Sequence, residues 1–369
     1  MAFNKISSKF LNYPITTATQ IWKGFYKMAS DSKSARLILK IGTHSGVFHC
    51  DEALACFMLK QLPEYKDAEI IRTRDQSILD TCDTVVDVGG VYNPKTSRFD
   101  HHQRGFVETL STVRPDLAKN KNIKLSSAGL IYAHFGMQVL SEILTQNKCD
   151  ISTAQLSAIY LHVYDKFIEE IDAIDNGAPI CPNGQPLYHL NTHVSERVHK
   201  INPKWNSKET TSTDKLFQRA MELVGGEFVE TILEAGSVWW PGRVIVLNAI
   251  QNRDTVYKTG EIIELSERCP WVEHLFNLEE DLGIPGHIKF VLFLDRDGTC
   301  RVQSVPVVPG SFICRNFLHE DWRGIKEDEL TNICGIKGST FCHHTGFIGG
   351  NKTRDGALQM AIKSLHSCG

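Results

Sequence analysis

The chain has 369 residues, 42% of them hydrophobic and 22% charged, which is enough to bury a core and to hold roughly two domains. Forty Lys and Arg against 43 Asp and Glu give a net charge of −3, which excludes a strongly basic nucleic-acid coat. The 11 Cys never form a C-x-x-C pair, and no run approaches the about 18 apolar residues of a membrane span. We therefore expect no disulfide scaffold, no zinc knuckle and no association with a membrane.

The first 30 residues differ in composition from the rest of the chain. They contain four Lys, several Ser and Thr, spaced bulky apolar residues and no Asp or Glu. This composition is typical of a mitochondrial transit peptide, and the alternative is an ordinary disordered terminus. We assign residues 1–35 to such a segment. Translation that starts at Met28 would produce a shorter chain without the targeting signal, and this form would be found in a second cellular location.

Residues 36–178 show the alternation of strands and helices that predicts an α/β domain. Strands are predicted from β-branched runs at Arg36–Thr43, Ala68–Arg74 and Thr84–Val88, and helices from amphipathic spacing at Asp51–Leu62, Ser126–Leu144 and Ile151–Ile174. Strands connected through helices pair in parallel, so we expect a parallel sheet covered by helices.

The second half of the chain predicts a different organisation. Residues 179–213 are rich in Asn, Pro, Gly and Ser and are assigned to a linker. Residues 214–369 are assigned to an α+β domain. Its predicted elements are a helix at Leu216–Ala235, a strand at Val244–Leu247, a hairpin of Ile288–Leu294 with Cys300–Pro306, and a last helix at Arg354–Leu365.

Side chains that can bind metals follow the ends of the predicted strands. In chain order they are His44, His49, Asp51, Asp87, Asp100, His101 and His102. The carboxyl ends of parallel strands meet at one edge, where α/β proteins bind their ligands. Because so much charge and polarity at one edge needs compensation, we expect a divalent cation there.

The ligand atoms restrict the identity of the metal but not the number of ions. Mixed oxygen and nitrogen ligands suit Mn²⁺, Fe²⁺ or Zn²⁺, and Mg²⁺ suits a site in which carboxylates dominate. This many ligands is compatible with two ions. Taken singly, His44 is better explained as a hydrogen-bonded loop histidine, and Asp51 is better explained as a carboxylate favoured at a helix N-terminus.

Three segments contain these candidate ligands: GTHSGVFHCDEALA (Gly42–Ala55), VVDVGG (Val85–Gly90) and FDHHQRGF (Phe99–Phe106). They resemble the motifs of the DHH phosphoesterase superfamily and, more closely, those of the melanocyte-proliferating-gene exonuclease family. The likeness continues through Asp172–Gly177, Asn191–Asn206 and Phe341–Ala361. It implies a DHH-type fold for the N-terminal domain and a metal-dependent 3′ to 5′ RNA exonuclease of mitochondria and nucleus, with the cytoplasm as a further location.

The resemblance also implies roles for individual residues. The implied metal ligands are His44, His49, Asp51, Asp87, His101 and Asp175, around two Mn²⁺ ions. Asp87 would bridge the ions, and Asp51, Asp87 and His102 would be the catalytic residues, with His102 facing the scissile phosphate. Asp175 fits the fourth motif better than Asp172. His49 stands where the superfamily has Asp, which removes one negative charge and shifts the expected metal away from Mg²⁺.

Phosphate contacts are expected from the Gly-rich C-terminal motif, which holds the substrate in the superfamily. The expected residues of this region are Lys337, His343, His344, Gly349, Gly350 and Arg354. Arg104, just after Asp100-His101-His102, is a further expected phosphate contact, although taken singly it is better explained as a surface or interdomain pair. Glycines let backbone amides approach a phosphate, and the basic side chains supply charge. The alternative is a Gly-rich turn before a helix.

Two other functions are compatible with the sequence. One is a hydrolase of small phosphate compounds such as pyrophosphate or short oligonucleotides, and the other is a non-catalytic, metal-stabilised interaction protein. RNA as the substrate rests on the resemblance, because the acidic composition gives it no support. The sequence does not indicate protein partners, RNA targets or the oligomeric state.

Overall fold

Two β-sheets with their helices make up the computed structural model, which describes residues 38–181, 183–207 and 211–367. The predicted transit segment, residues 1–35, lies outside this part of the chain. Among the described helices, none is long and apolar enough to cross a membrane.

The first sheet places the ends of three parallel strands side by side. Its strands are β1 (Lys40–Thr43), β2 (Glu69–Arg72), β3 (Thr84–Val86), β4 (Tyr92–Asn93) and β5 (Arg98–Phe99). Their order is β2-β1-β3-β5-β4, and every pairing is parallel except that of β4 with β5. The carboxyl ends of β1, β3 and β5 therefore lie at one edge.

Helices cover this sheet and complete the first core. They are α1 (Cys50–Gln61), α2 (Gln76–Leu79), α3 (Leu110–Val113), α4 (Ser127–Gln146), α5 (Thr153–Val163), α6 (Glu169–Asp175), α7 (Val194–His199) and α8 (Thr213–Glu234). A π-helical turn at Tyr164–Ile168 joins α5 to α6. Fully buried side chains such as Leu54 and Leu130 each stabilise the core by about 1.5 to 3 kcal/mol.

The second sheet is mixed, and it packs with the C-terminal helices. Its elements are α9 (Trp240–Gln251), α10 (Arg253–Val256), β6 (Ile262–Glu264), α11 (Val272–Asp281), β7 (Phe290–Leu294), β8 (Cys300–Ser304), α12 (Glu327–Cys334), β9 (Ser339–Cys342), β10 (Ile348–Asn351) and α13 (Arg354–His366). The strand order is β6-β7-β8-β10-β9; only β6 with β7 is parallel. The expected fold class, a parallel-sheet α/β region followed by an α+β region, is confirmed.

Three segments differ from the expected organisation. Val244–Leu247 is predicted as a strand but lies within α9, because a short apolar run fits a strand and a buried helix equally well. The predicted linker, residues 179–213, contains α7, whose Val194 and Val198 are buried in the first core. The third segment is α8, which is predicted for the C-terminal domain. This helix packs on the first core through Phe217 and Phe228, and Gly225 allows its close approach, since a Cβ there would lie 2.2 Å from the Phe57 ring.

Candidate metal centre

The carboxyl edge of the first sheet gathers the expected ligand residues. His44 and Asp87 directly follow β1 and β3, and His101 is the second residue after the end of β5. His49 is the N-cap of α1 and Asp51 lies in its first turn. The parallel pairing of the three strands brings together side chains from three separate stretches of sequence.

A buried imidazole between two carboxylates forms the first part of the site. His44 Nε2 lies 3.0 Å from Glu52 Oε1 and 3.4 Å from Asp87 Oδ2, and all three side chains are buried. Burial opposes the charged imidazolium, but the contacts with Asp87 and Glu52 outweigh it and raise the pKa of His44 to about 10. A divalent cation at these carboxylates would compete with that proton, so its binding would strengthen with pH.

Glu52 was not singled out in the sequence, yet it is a buried member of this site. Its carboxylate accepts hydrogen bonds from the backbone nitrogen of His49 at 2.9 and 3.0 Å, as in a capping box. A Glu three residues after a helix N-cap is explained by capping alone. The sequence therefore carries no separate signal for its second contact, with His44.

Asp87 lies at the centre of the cluster. Its Oδ1 is 3.3 Å from His101 Nε2 and 3.5 Å from His102 Nδ1, and it accepts a hydrogen bond from Ser127 Oγ at 3.1 Å. Burial alone would raise the pKa of Asp87, but the contacts with His101 and His44 outweigh burial and hold this pKa well below its usual range. Its φ of 57° is a left-handed conformation that Asp and Asn tolerate better than most residues.

His101 connects Asp87 to the end of α6. Its Nε2 is 3.1 Å from Asp175 Oδ2, and these two carboxylates raise the pKa of His101 to about 10 against the opposing effect of burial. Asp172 does not belong to this group. It accepts hydrogen bonds from Ser126 N at 2.9 Å and Ser126 Oγ at 2.7 Å, which fixes the start of α4.

Asp51 is a buried carboxylate that lacks hydrogen-bond partners. The residue is 1% exposed, and neither of its carboxylate oxygens has a hydrogen-bond partner among the described residues. Burial, followed by the negative charges of Asp87 and Asp175, raises the pKa of Asp51 well above its usual range. A buried carboxylate is costly unless it is paired or coordinates a metal, so this environment fits a cation.

Asp100 orients the exposed member of the cluster. Its carboxylate accepts hydrogen bonds from Gly90 N at 2.6 Å, from His102 N at 3.1 Å and from His102 Nδ1 at 2.8 Å. The His102 side chain is 63% exposed, in contrast to the buried His101 beside it. The two histidines therefore face different surroundings, one buried among carboxylates and the other open to solvent.

Three overlapping groups of donor atoms in this cluster are compact enough to hold a metal ion. Within each group, every ligand atom lies within 4.8 Å of the others. The groups are His44, His49, Glu52 and Asp87; Asp87, His101 and His102; and His49, Asp51 and Asp175. Because Asp87 and His49 each belong to two groups, the geometry is compatible with more than one ion. Mixed carboxylate and imidazole donors suit Mn²⁺, Fe²⁺ and Zn²⁺.

The residues expected to bind phosphate are not gathered in the same way. Gly349 and Gly350 lie in β10, which pairs with strands on both sides, and a Cβ on Gly349 would lie 2.8 Å from Leu318. Arg354 forms ion pairs with Glu264 and Asp355. These positions have structural explanations in the fold. Arg104 and Lys337 are exposed.

Basic side chains lie beside His343 and His344. Both line a cavity of about 670 Å³ together with Arg301 and Lys326. Arg301 also pairs with Asp295 and Asp297, so part of its charge is already neutralised.

The parallel sheet and the donor cluster at its edge define an α/β protein with a candidate divalent-metal centre. A family model for MYG1 exonucleases, described as "Uncharacterised protein family (UPF0160)", matches residues 40–365. The chain belongs to this family, as its motifs indicated. It is 47% identical to the human MYG1 exonuclease over 88% of this chain and 85% of that one, and 46% identical to the Dictyostelium discoideum MYG1 protein over 89% and 97%.

A much weaker similarity is found among solved structures. The crystal structure of exonuclease RecJ bound to manganese aligns with a TM-score of 0.23 and 12% identity, over 89% of this chain and 90% of that chain. A score of this size does not establish a shared fold. Family membership and the donor cluster together support a metal-dependent exonuclease.

Proposed function

We propose that this protein is a metal-dependent exonuclease that hydrolyses RNA from the 3′ end. The observation that carries the metal dependence is Asp51, a buried carboxylate with no hydrogen-bond partner for either oxygen among the described residues. Nuclease activity is supported by membership of the MYG1 exonuclease family. RNA and the 3′ to 5′ direction are supported by the motif resemblance.

The metal would be held by the side chains that converge on Asp87. We assign this role to His44, His49, Asp51, Asp87, His101 and Asp175, with two Mn²⁺ as the proposed occupants. Bound there, such ions would supply Lewis-acid chemistry: they would lower the pKa of the water molecule that acts as nucleophile and offset the charge that develops on phosphate oxygens. Asp87 contacts both His44 and His101, which makes it the ligand best placed to be shared.

The exposed His102 would contact the scissile phosphate. Its Nδ1 bonds to Asp100, which fixes the ring and leaves Nε2 available for a substrate oxygen. From this position the ring, when both nitrogens carry a proton, would donate a hydrogen bond from Nε2 to the phosphate. It would pass that proton to the leaving oxygen as the P–O bond breaks and become a neutral imidazole. The cavity with His343 and His344 is the best-supported second contact for substrate phosphates, because Arg301 and Lys326 line it too.

End-labelled RNA tests this proposal directly. We expect 5′-labelled RNA to shorten progressively and 3′-labelled RNA to release a labelled mononucleotide at once, with Mn²⁺ present and not with EDTA. DNA of the same sequence and pyrophosphate serve as competing substrates. Shortening from the 5′ end would refute the direction. If the protein hydrolyses pyrophosphate but not RNA, the proposed exonuclease activity is refuted. If RNA is hydrolysed in EDTA, the proposed metal dependence is refuted.

We also propose that the protein acts in mitochondria and in the nucleus. This rests on the composition of residues 1–30 and on the family resemblance. Chains that begin at Met1 and at Met28 should show different distributions when imaged in cells, and identical distributions would refute the proposal.

Asp175→Asn and Asp172→Asn should have different effects on RNA hydrolysis. We expect Asp175→Asn to lower kcat/KM by at least about 10-fold, as expected for a group in a metal site. Asp172→Asn should leave kcat/KM within about threefold, because an amide oxygen can still accept the hydrogen bonds of Ser126. If Asp172→Asn lowers kcat/KM more than Asp175→Asn does, Asp172 belongs to the metal site and Asp175 does not.

A further inference from the structure

A segment far along the chain is fixed to the loop that carries His49. The side-chain amide of Asn202 accepts a hydrogen bond from Phe48 N at 3.0 Å and donates one to Phe48 O at 2.8 Å. Asn202 is buried, and Phe48 immediately precedes His49. The segment that contains α7 and the residues after it is therefore attached directly beside the candidate metal centre.

Three residues after this attachment, the chain exposes a tryptophan. Trp205 is 96% exposed and lies in a turn in which Ser207 N donates to Lys204 O at 3.0 Å. Its Cα is at most about 11 Å from that of Asn202, because a fully extended chain spans at most about 3.6 Å per residue. Trp side chains are highly buried on average and are enriched at binding interfaces, so this exposure fits a residue that contacts a partner.

The surroundings of Trp205 are basic, although the protein as a whole is acidic. Residues 187–207 contain three Lys or Arg and one Glu, against a net charge of −3 for the chain. The Lys204 ammonium donates to the backbone carbonyl of Lys200 at 2.8 Å and not to a carboxylate, so its charge remains available. Both lysines are exposed, although Lys200 also pairs with Glu196 at 3.6 Å and Arg197 pairs with Glu227. Lys204 is therefore the cation of this segment whose charge is most available.

We propose that Trp205 stacks on a base of the single-stranded nucleic acid whose end lies in the metal centre, while Lys200 and Lys204 contact its phosphates. An aromatic ring with flanking cations is the combination that binds single strands without sequence preference. Attachment through Asn202 keeps this platform within reach of the same strand. The inference rests on the proposed exonuclease function and extends it to the way the substrate is held.

Oligonucleotide binding tests the platform. In an Asp87→Asn background, which is expected to prevent degradation, we expect Trp205→Ala to raise the Kd for a 12-nucleotide RNA by about 5- to 150-fold. Trp205→Phe should retain most of the affinity. A fully abasic oligomer of the same length should bind equally to Trp205→Ala and to the parent, because it has no base to stack. The double variant Lys200→Gln, Lys204→Gln should make the fall of log Kobs with log[salt] shallower by about 1.4, because each phosphate contact on a single strand contributes about 0.7 to that slope.

Phe312→Ala is the matched control, because Phe312 is 95% exposed in a loop of the second sheet. It should leave the Kd unchanged, and the melting temperature of Trp205→Ala in excess Mn²⁺ should equal that of the parent. If the wild-type protein hydrolyses RNA but Trp205→Ala binds as the parent does, stacking is refuted and the exonuclease stands; such a Trp would instead fit a protein partner. If the wild-type protein does not hydrolyse RNA, the proposed function itself is refuted.

Discussion

Asp87→Asn should lower the rate of RNA hydrolysis by more than about 100-fold. Loss of a group that only supports a metal ligand already costs about 10- to 100-fold, and Asp87 is proposed to be a shared ligand. Asn keeps the size of the side chain and tolerates the left-handed backbone at this position. It removes the negative charge between His44 and His101, so the loss would report charge and coordination at an unchanged side-chain size.

Two variants make this measurement specific. Asp83→Asn alters an exposed carboxylate just before the same strand, where it accepts a hydrogen bond from Lys40 N at 2.7 Å, and kcat/KM should stay within about twofold. Ser127→Ala removes one hydrogen bond to Asp87 and should produce an intermediate loss. Hydrolysis by Asp87→Asn within tenfold of the wild-type rate would remove Asp87 from the catalytic centre.

Much of the candidate centre could be predicted because parallel strands place their ends together. His44, Asp87 and His101 are each within two residues of a strand end, so the strand pattern alone brings them to one edge. Glu52 could not be separated from a capping residue, since one carboxylate has both contacts. Asn202 bonds to a residue 154 positions away, and no local pattern connects such segments.

The second half of the chain was harder to predict for related reasons. Val244–Leu247 has an apolar pattern that fits a strand, yet its neighbours continue it as α9. The Gly-rich run around Gly349 and Gly350 resembles a phosphate-binding loop in sequence. In the structure a Cβ on Gly350 would lie 2.7 Å from Thr340 and 2.8 Å from Arg301, so close packing in the sheet explains this glycine. Sequence alone does not distinguish close approach to a ligand from close approach to another strand.

Mn²⁺ should raise the melting temperature of the wild-type protein, and Asp51→Asn should remove that effect. A ligand that binds only the folded state adds about 2.7 kcal/mol of stability at a 100-fold excess over its Kd. In EDTA the order should reverse, with Asp51→Asn at least as stable as the wild type. The variant lacks a carboxylate that is buried without a hydrogen-bond partner among the described residues.

The pH dependence of melting follows from the same residue. Because folding raises the pKa of Asp51, the folded state binds more protons than the unfolded state above the ordinary Asp range, and stability in EDTA should fall as pH rises through that window. His44 and His101 act in the same direction, since their pKa values of about 10 stabilise the folded state fully below about 6.5 and progressively less as pH rises towards 10.

Mn²⁺ should oppose this fall of stability with pH, because its binding displaces the protons. We expect the Mn²⁺-induced rise in melting temperature to be larger at about pH 8 than at about pH 6. Thermal melts of wild type, Asp51→Asn and Asp83→Asn, each with EDTA and with Mn²⁺, measure all of these effects. If wild-type melting does not respond to Mn²⁺ and Asp51→Asn is destabilised in EDTA, the buried carboxylate has a structural role and the cluster is not a metal centre.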